Sequence, residues 1–486
     1  MRDKLFVSKV NDLYIRVSCE PSLAQELCDH LTFIVPGAKF MPSVRSKFWD
    51  GKIRLYNTLT GLVYYGLINE VCKFAQSRDY EVEIDKECTP DGRELDDDKI
   101  IEFLKSIDSK FEPRTYQLNA FRHAIKYDRG VFLSPTSSGK SFIIYLLTRF
   151  YNARTLIIVP TTSLVSQLAS DFVDYGFQSD KYVHRIYAGE DKQTDKPITI
   201  STWQSIYKLP KAYFEQFDVV IGDEAHLFKA KSLSTIMEKL SDCRYRFGFT
   251  GTLDGSQTNK MTLEGLFGPV NVVTTTSKLM EDKHVAKLKI KSIILSYSPE
   301  ERKLAKNFSY QDEIDFLVRN EDRNKFLKNL VISLDGNSLV LFQYVEKHGK
   351  VLFDMIKDID SERKVFFIHG GVDAEERELV RKIVETETNA IIIASYGTFS
   401  TGINIRNLNN VVFSSPTKSR VRTLQSIGRG LRLSTIKDSV IVYDIADDLK
   451  HKNHVNFTLT HFMERLNIYN SEEFDYKIYN VDVRST

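Results

Sequence analysis

At 486 residues the chain exceeds one domain and, at about 150 residues each, suits about three domains that can each bury a core. A composition of 42% hydrophobic, 27% charged and 12% aromatic residues excludes wholesale disorder. Lys and Arg (67) nearly balance Asp and Glu (65), so any surface for a polyanion has to be local. Cys19, Cys28, Cys72, Cys88 and Cys243 lack a C-x-x-C pair or zinc-site spacing and read as reduced, mostly buried thiols. Met1 to Tyr14 has no secretory apolar stretch, and runs such as Phe142 to Leu147 fall far short of the about 18 residues a membrane span needs. The expectation is a soluble, intracellular protein without a membrane partner.

Residues 1–90 mix alternating stretches, Leu5 to Val10 and Leu13 to Val17, with a helical segment near Ser22 to Leu31, and read as a small α/β domain. Within it, Lys39 to Arg54 carries Lys39, Arg45, Lys47, Lys52 and Arg54 against Asp50 alone, interleaved with Phe40, Phe48 and Trp49. Cations satisfy phosphates and an exposed ring packs on a base, so this is the best local candidate for a duplex or junction DNA patch. The alternative is a core tryptophan in a hairpin turned by Asp50-Gly51, with solvated charges around it. Between Asp79 and Asp98 ten carboxylates meet only Lys86 and Arg93, which marks a solvated strand edge and then an acidic linker over 91–110.

From Phe111 the texture changes to short apolar strands that end in small or polar residues and alternate with helical segments, the pattern of parallel sheets. The first block, 111–285, has strand candidates at Gly130 to Leu133, Thr155 to Val159, Thr199 to Ser201, Val219 to Ile221 and Tyr245 to Phe249. The second, 286–447, has them at Ser338 to Phe342, Val365 to Ile368, Ala390 to Ala394, Asn410 to Phe413 and Val440 to Tyr443. Ser256 to Glu301 joins the blocks, and 448–486 reads as a small helical or irregular C-terminal appendage.

Ser134-Pro135-Thr136-Ser137-Ser138-Gly139-Lys140-Ser141 follows an expected strand and opens an apolar helix, the setting of a phosphate-binding loop. Backbone N–H groups point at phosphates there, Lys140 charges the β/γ oxygens, and the Ser141 hydroxyl ligates Mg2+. Ser134 takes the place of the usual first glycine and keeps its small size. Asp223-Glu-Ala-His226 ends an apolar strand, where Asp223 holds magnesium through water and Glu224 orients and deprotonates the attacking water.

These two signals, with further segments in order over Phe111 to Asp447, resemble the superfamily 2 helicases. The resemblance implies two tandem RecA-like lobes with parallel sheets, beside the small α/β N-terminal domain. It assigns adenine recognition to Phe111, Arg114 and Gln117, and strand-phosphate contacts to Thr161 in Pro160 to Leu164 and Thr202 in Ser201 to Ser205. For Thr161 and Thr202 a plain helix-cap or turn role stands beside that assignment. Coupling of hydrolysis to strand movement falls to His226, Thr250, Thr252 and Gln425, and contact with both ATP and strand to Thr398, Thr401, Gly402 and Asn404. Asn404 stands where the family often has aspartate. Arg429 and Arg432, in Gln425 to Arg432, are one helical turn apart and are implied to reach the γ-phosphate. Within the superfamily, the box, the Gly-Phe-Thr-Gly-Thr segment and the compact N-terminal module look like bacteriophage recombination helicases. That closer likeness implies unwinding and branch migration of forks, Holliday-type junctions and R-loops, including RNA–DNA hybrids, in recombination, repair and replication restart. An RNA helicase and an ATP-gated annealing or clamping protein are the competing readings.

Overall fold

The computed structural model describes residues 4–89, 92–187, 191–228, 230–253, 255–357, 363–402, 405, 407–416, 418–431 and 439–485. The chain divides into two compact units, Met1–Ser134 with Gly139–Thr274 and Pro135–Ser138 with Thr275–Thr486. None of the described helices is long and apolar enough to cross a membrane.

The first unit opens with a four-stranded sheet of β1 (Lys4–Lys9), β2 (Tyr14–Ser18), β5 (Leu62–Tyr64) and β6 (Glu81–Ile84), in the order β5-β2-β1-β6. Alternation puts Leu5, Val7, Ile15 and Val17 in a core with helices Pro21–His30 and Ile68–Ser77. The acidic stretch begins as the edge strand β6, where Lys4 pairs with Glu81 and Glu83. The hairpin β3 (Thr32–Ile34) with β4 (Lys52–Arg54) exists, but Asp50-Gly51 is not its two-residue turn. The connection runs through the short helices Ala38–Phe40 and Pro42–Arg45, and the Gly51 carbonyl accepts the Val35 N–H at 2.9 Å.

The expected linker 91–110 carries the helix Asp97–Ser106, capped by Asp96. Its Phe103 stacks on Phe121, and Arg93 binds Asp128, so apolar burial fastens this acidic segment to the sheet that follows.

That sheet contains β7 (Arg129–Leu133), β8 (Thr155–Val159), β9 (Val183–Ile186), β10 (Ile198–Thr202), β11 (Val219–Asp223), β12 (Tyr245–Thr250) and β13 (Val270–Val272). All pairings are parallel, in the order β13-β7-β12-β11-β8-β10-β9. Ile157 and Val159 face one core with helices Thr115–Tyr127, Lys140–Tyr151 and Thr162–Asp174. Leu156 and Ile158 face the other, with helices Lys231–Lys239 and Gln257–Phe267. Burial on both faces explains the uninterrupted apolar strands.

The N-terminal sheet docks on this one through close backbone contact. A Cβ on Gly66 would lie 1.8 Å from the Glu264 carbonyl oxygen, so no side chain fits. Arg129 stacks its guanidinium 3.9 Å from the Tyr65 ring centre and donates to the Asp12 carbonyl at 3.1 Å.

The second unit is built on a parallel sheet of order β16-β17-β15-β18-β19-β14-β20. Its strands are β14 (Lys287–Ser296), β15 (Ser338–Phe342), β16 (Val365–Ile368), β17 (Ile391–Ser395), β18 (Asn410–Phe413), β19 (Ser439–Asp448) and β20 (Tyr476–Asp482). Two expectations change here. Ser256 to Glu301 is not simply a joining segment, because β13 extends the first sheet and β14 lies inside the second. The last residues are not an appendage, because β20 pairs with β14 and helix Phe457–Ser471 packs on β19.

Buried polar groups hold that C-terminal helix. Glu313, 1% exposed, accepts hydrogen bonds at its N-terminus from Phe457 N, Thr458 N, Thr458 Oγ1 and Asn456 Nδ2 at 2.7–2.9 Å. Farther along, Arg465 Nε donates to Asp444 at 3.0 Å, and the Tyr469 hydroxyl donates to the same carboxylate at 2.9 Å. Arg465→Ala would leave the Asp444 carboxylate buried without its cation, and is expected to destabilise the second unit by about 3–5 kcal/mol in urea unfolding. Removing the cation of the solvent-exposed Arg484–Asp482 pair should change little.

Candidate active site

The parallel order sets β7, β12 and β11 side by side, with their carboxyl ends at one edge. Leu133 pairs with Thr250 and Asp223 with Phe249, so the phosphate loop, the Thr250 hydroxyl and the two carboxylates emerge next to one another. Ser134, fully buried, continues this register by donating its N–H to the Thr250 carbonyl at 2.8 Å. Lys140 and Ser141 begin helix Lys140–Tyr151, whose N-terminal dipole favours an anion. Within the loop, Ser138 N and Oγ both donate to Pro135 O, at 3.2 and 2.6 Å. Ser137 has φ +72° and Glu224 +51°, left-handed conformations that side chains adopt at a cost. Thr136 completes the loop.

A chain of polar contacts runs across the edge. Lys140 Nζ lies 3.2 Å from Glu224 Oε1, and Glu224 Oε2 lies 3.3 Å from His226 Nδ1 without a hydrogen bond to it. His226 Nδ1 is 2.9 Å from Thr250 Oγ1, which donates to the Thr252 carbonyl at 2.9 Å. Burial pushes the Asp223 carboxyl up to about 6, against the pull of Lys140 and with Glu224 adding to the rise. Burial also opposes the charge of Glu224, but Lys140 and His226 outweigh it and hold this carboxyl well below the usual range. Asp223 thus offers a carboxylate of the kind a hard divalent cation takes, while Glu224 is paired with Lys140.

On the far side of the loop, Gln117 accepts the Arg114 N–H at 2.9 Å and donates to the Gly139 carbonyl at 3.3 Å. A Cβ on Gly139, whose φ is +79°, would sit 2.5 Å from Gln117 Nε2. Gln117 therefore braces the loop with the amide expected to read adenine, while Phe111 leaves 52% of its surface exposed for a base to stack on. Motif reading missed Tyr175. Its hydroxyl is 2.7 Å from Ser141 Oγ and its ring meets Phe111 edge-on, linking the two ends of the expected nucleotide site. Only the folded helix Thr162–Asp174 brings it there, so no local pattern marks it.

Among the strand-contact residues, Thr161 caps that helix by accepting the Leu164 N–H, and Thr202 is buried with its hydroxyl 2.9 Å from Ser205 Oγ. The cap and turn roles are therefore present. In the second unit, Thr398 is buried with its hydroxyl 2.8 Å from Ser395 Oγ. Thr401 and Gly402 end helix Tyr396–Gly402, and Gln425 and Arg429 lie on helix Arg420–Gly430. Asn404 and Arg432 fall outside the described residues.

In the N-terminal patch Lys39, Arg45, Lys47, Lys52 and Arg54 are all exposed, with Arg54 paired to Asp50. Phe48 is 91% exposed, while Trp49 is half-buried and donates its indole N–H to the Lys52 carbonyl at 3.0 Å. Thr250→Val should break the link to His226 while leaving Lys140 and the loop in place. The expected outcome is nucleotide affinity within about threefold of wild type and DNA-stimulated turnover lowered about 10- to 100-fold, read by nucleotide titration and steady-state ATPase assays.

Three family profiles match consecutive stretches of the chain. They are the N-terminal domain of DNA helicase UvsW over residues 8–85, the res subunit of type III restriction enzymes over 110–255, and the conserved C-terminal helicase domain over 322–434. ATP-dependent DNA helicase uvsW of Enterobacteria phage T4 is 37% identical over 498 residues, covering 97% of this chain and 98% of the relative. DNA 3'-5' translocase XPB2 of Sulfurisphaera tokodaii is 25% identical over 360 residues, 67% of this chain and 80% of the relative. The crystal structure of T4 UvsW superimposes with a TM-score of 0.53 at 34% identity, covering 99% of this chain and all of that one.

Proposed function

This chain belongs to the UvsW family of superfamily 2, ATP-dependent DNA helicases, and we infer that its track is branched duplex DNA, which it unwinds and branch-migrates at forks, Holliday-type junctions and R-loops. The observation that carries the track is the exposed N-terminal patch, five cations with Phe48 in solvent, in the same compact unit as Lys140. Cations there neutralise phosphates, and an exposed ring packs where base stacking is interrupted. Recombination, repair and replication restart are the settings in which such branches arise.

In hydrolysis, Lys140 binds the β/γ-phosphate oxygens that displace Glu224, and the N–H groups of Ser134 to Ser141 cradle the rest. Ser141 and Asp223 fit Mg2+, which when bound neutralises charge on the phosphates. Glu224 orients the attacking water, and Phe111 with Arg114 and Gln117 holds the adenine end. Arg429 and Arg432 would supply arginine charge from the second unit, with Gly402 and Asn404 contributing to nucleotide contact. Thr161, Thr202, Thr398 and Thr401 are assigned to strand phosphates, and His226, Thr250, Thr252 and Gln425 to coupling. Five free thiols and a DNA track suit a reducing intracellular compartment.

Lys140→Ala should abolish fork-stimulated ATP hydrolysis; unchanged turnover would sink the assignment of this site. An ATPase and unwinding panel over single strands, forks, four-way junctions, RNA–DNA hybrids and structured RNA tests the track. Equal stimulation by structured RNA would favour an RNA helicase, and annealing without strand displacement would favour a clamp.

A further inference from the structure

Tyr175 is the C-cap of helix Thr162–Asp174 and lies in the first unit with both residues it joins, Ser141 and Phe111. Its ring is enclosed by other rings. Phe142 and Tyr145 have their centres 4.8 and 5.3 Å away, and Phe111 meets it edge-on at 5.6 Å. Contacts of this kind set the direction of a side chain as well as burying it.

The backbone around Tyr175 is tied down too. Its carbonyl accepts the Lys110 N–H at 3.4 Å, and its own N–H donates to the Asp171 carbonyl at 3.0 Å. The next residue, Gly176, has φ +98°, and a Cβ there would stand 3.2 Å from the Asp108 carbonyl oxygen. The segment Asp108 to Phe111 therefore rests directly on the end of this helix. Ring and backbone together aim the phenol at one target, Ser141 Oγ, 2.7 Å away.

The chemistry expected of Ser141 calls for such a partner. A serine hydroxyl has one proton and two lone pairs, and the proton turns to whichever acceptor is at hand. When Ser141 ligates a hard cation through a lone pair, its proton has to be donated away from the metal. Among the described residues, the hydrogen-bond partner of Ser141 Oγ is the Tyr175 hydroxyl. A phenol oxygen can accept that proton and leave the lone pair free for the cation. Phenylalanine at the same position would keep the ring contacts and lose the acceptor.

We propose that Tyr175 is a positioning residue of the nucleotide site, whose hydroxyl accepts the Ser141 proton and so turns the Ser141 lone pair toward Mg2+. The proposal rests on Ser141 as a ligand of the metal in the ATP site, and Tyr175 acts only through it.

The test titrates the full chain with ATP at equilibrium, once in Mg2+ and once in EDTA. Tyr175→Phe should bind ATP in EDTA within about twofold of wild type and in Mg2+ about tenfold more weakly, since one hydrogen bond is lost and only the metal-loaded site uses it. In a Ser141→Ala background the same change should cost nothing further in Mg2+, a coupling that a loosened ring would not produce. Equal weakening of Tyr175→Phe in Mg2+ and in EDTA overturns the proposal, because the hydroxyl then serves only the packing. Wild-type affinity of Tyr175→Phe in Mg2+ overturns it as well, and so does an undiminished loss in the Ser141→Ala background. Ser141→Ala that keeps the whole gain in affinity from Mg2+ overturns Ser141 as a metal ligand, and the role of Tyr175 with it.

Discussion

The chemistry of the first unit depends on one constraint, the adjacency of β7, β12 and β11 as parallel neighbours in fixed register. Parallel pairing puts all three carboxyl ends at one edge, and the Leu133–Thr250 and Phe249–Asp223 pairings set their relative height. A one-residue slip of β12 would turn Thr250 to the other face of the sheet and away from His226. The phosphate loop, the acidic box and the coupling hydroxyls come from segments far apart in sequence. Only the strand order brings them within hydrogen-bonding distance.

The two units secure their accessory segments by different physics. The N-terminal sheet is held to the neighbouring parallel sheet by backbone contact at Gly66 and a stacked, buried arginine. The C-terminal helix is instead held by charges out of water, with Arg465 on Asp444 and Glu313 at its N-terminus. Arg323 on Asp447, with the Tyr297 hydroxyl on the same carboxylate, extends this network into the sheet. Such groups contribute little net stability as pairs but tolerate few alternative packings, because each misplacement strands a buried charge. That specificity keeps β20, a late and partly exposed strand, beside β14.

Legibility in the sequence followed the range of the interactions. Fully buried parallel strands such as Thr155–Val159 and Ser338–Phe342 announce themselves as apolar runs, because both faces meet helices. The phosphate loop and the acidic box were equally plain, since each needs particular residues within a few positions. β13 was not, because three residues are too few to carry a pattern, and β20 was not, because it is a largely exposed edge strand whose apolar residues form no buried run. Tyr175 was invisible for a related reason. Its meaning lies in the Ser141 hydroxyl, which a distant segment brings to it. Gln117 was legible in place, while its bracing of the loop through Arg114 N and Gly139 O was not, because Gly139 comes from a distant segment.

The Lys140–Glu224 pair gives the site a resting state. With the ammonium 3.2 Å away, the Glu224 carboxyl lies well below the usual range and is a poor proton acceptor near neutral pH. On the proposed assignment, phosphate oxygens would compete for Lys140, and nucleotide binding would draw away the charge that holds Glu224 down. His226 is a further polar neighbour of Glu224, and its other contact is Thr250, at the end of β12. Basicity at Glu224 thereby depends on both ends of the polar chain, on phosphate through Lys140 and on the position of Thr250 through His226. The Thr250 hydroxyl thus joins the carboxylate site to the end of β12, a few residues before helix Gln257–Phe267 begins.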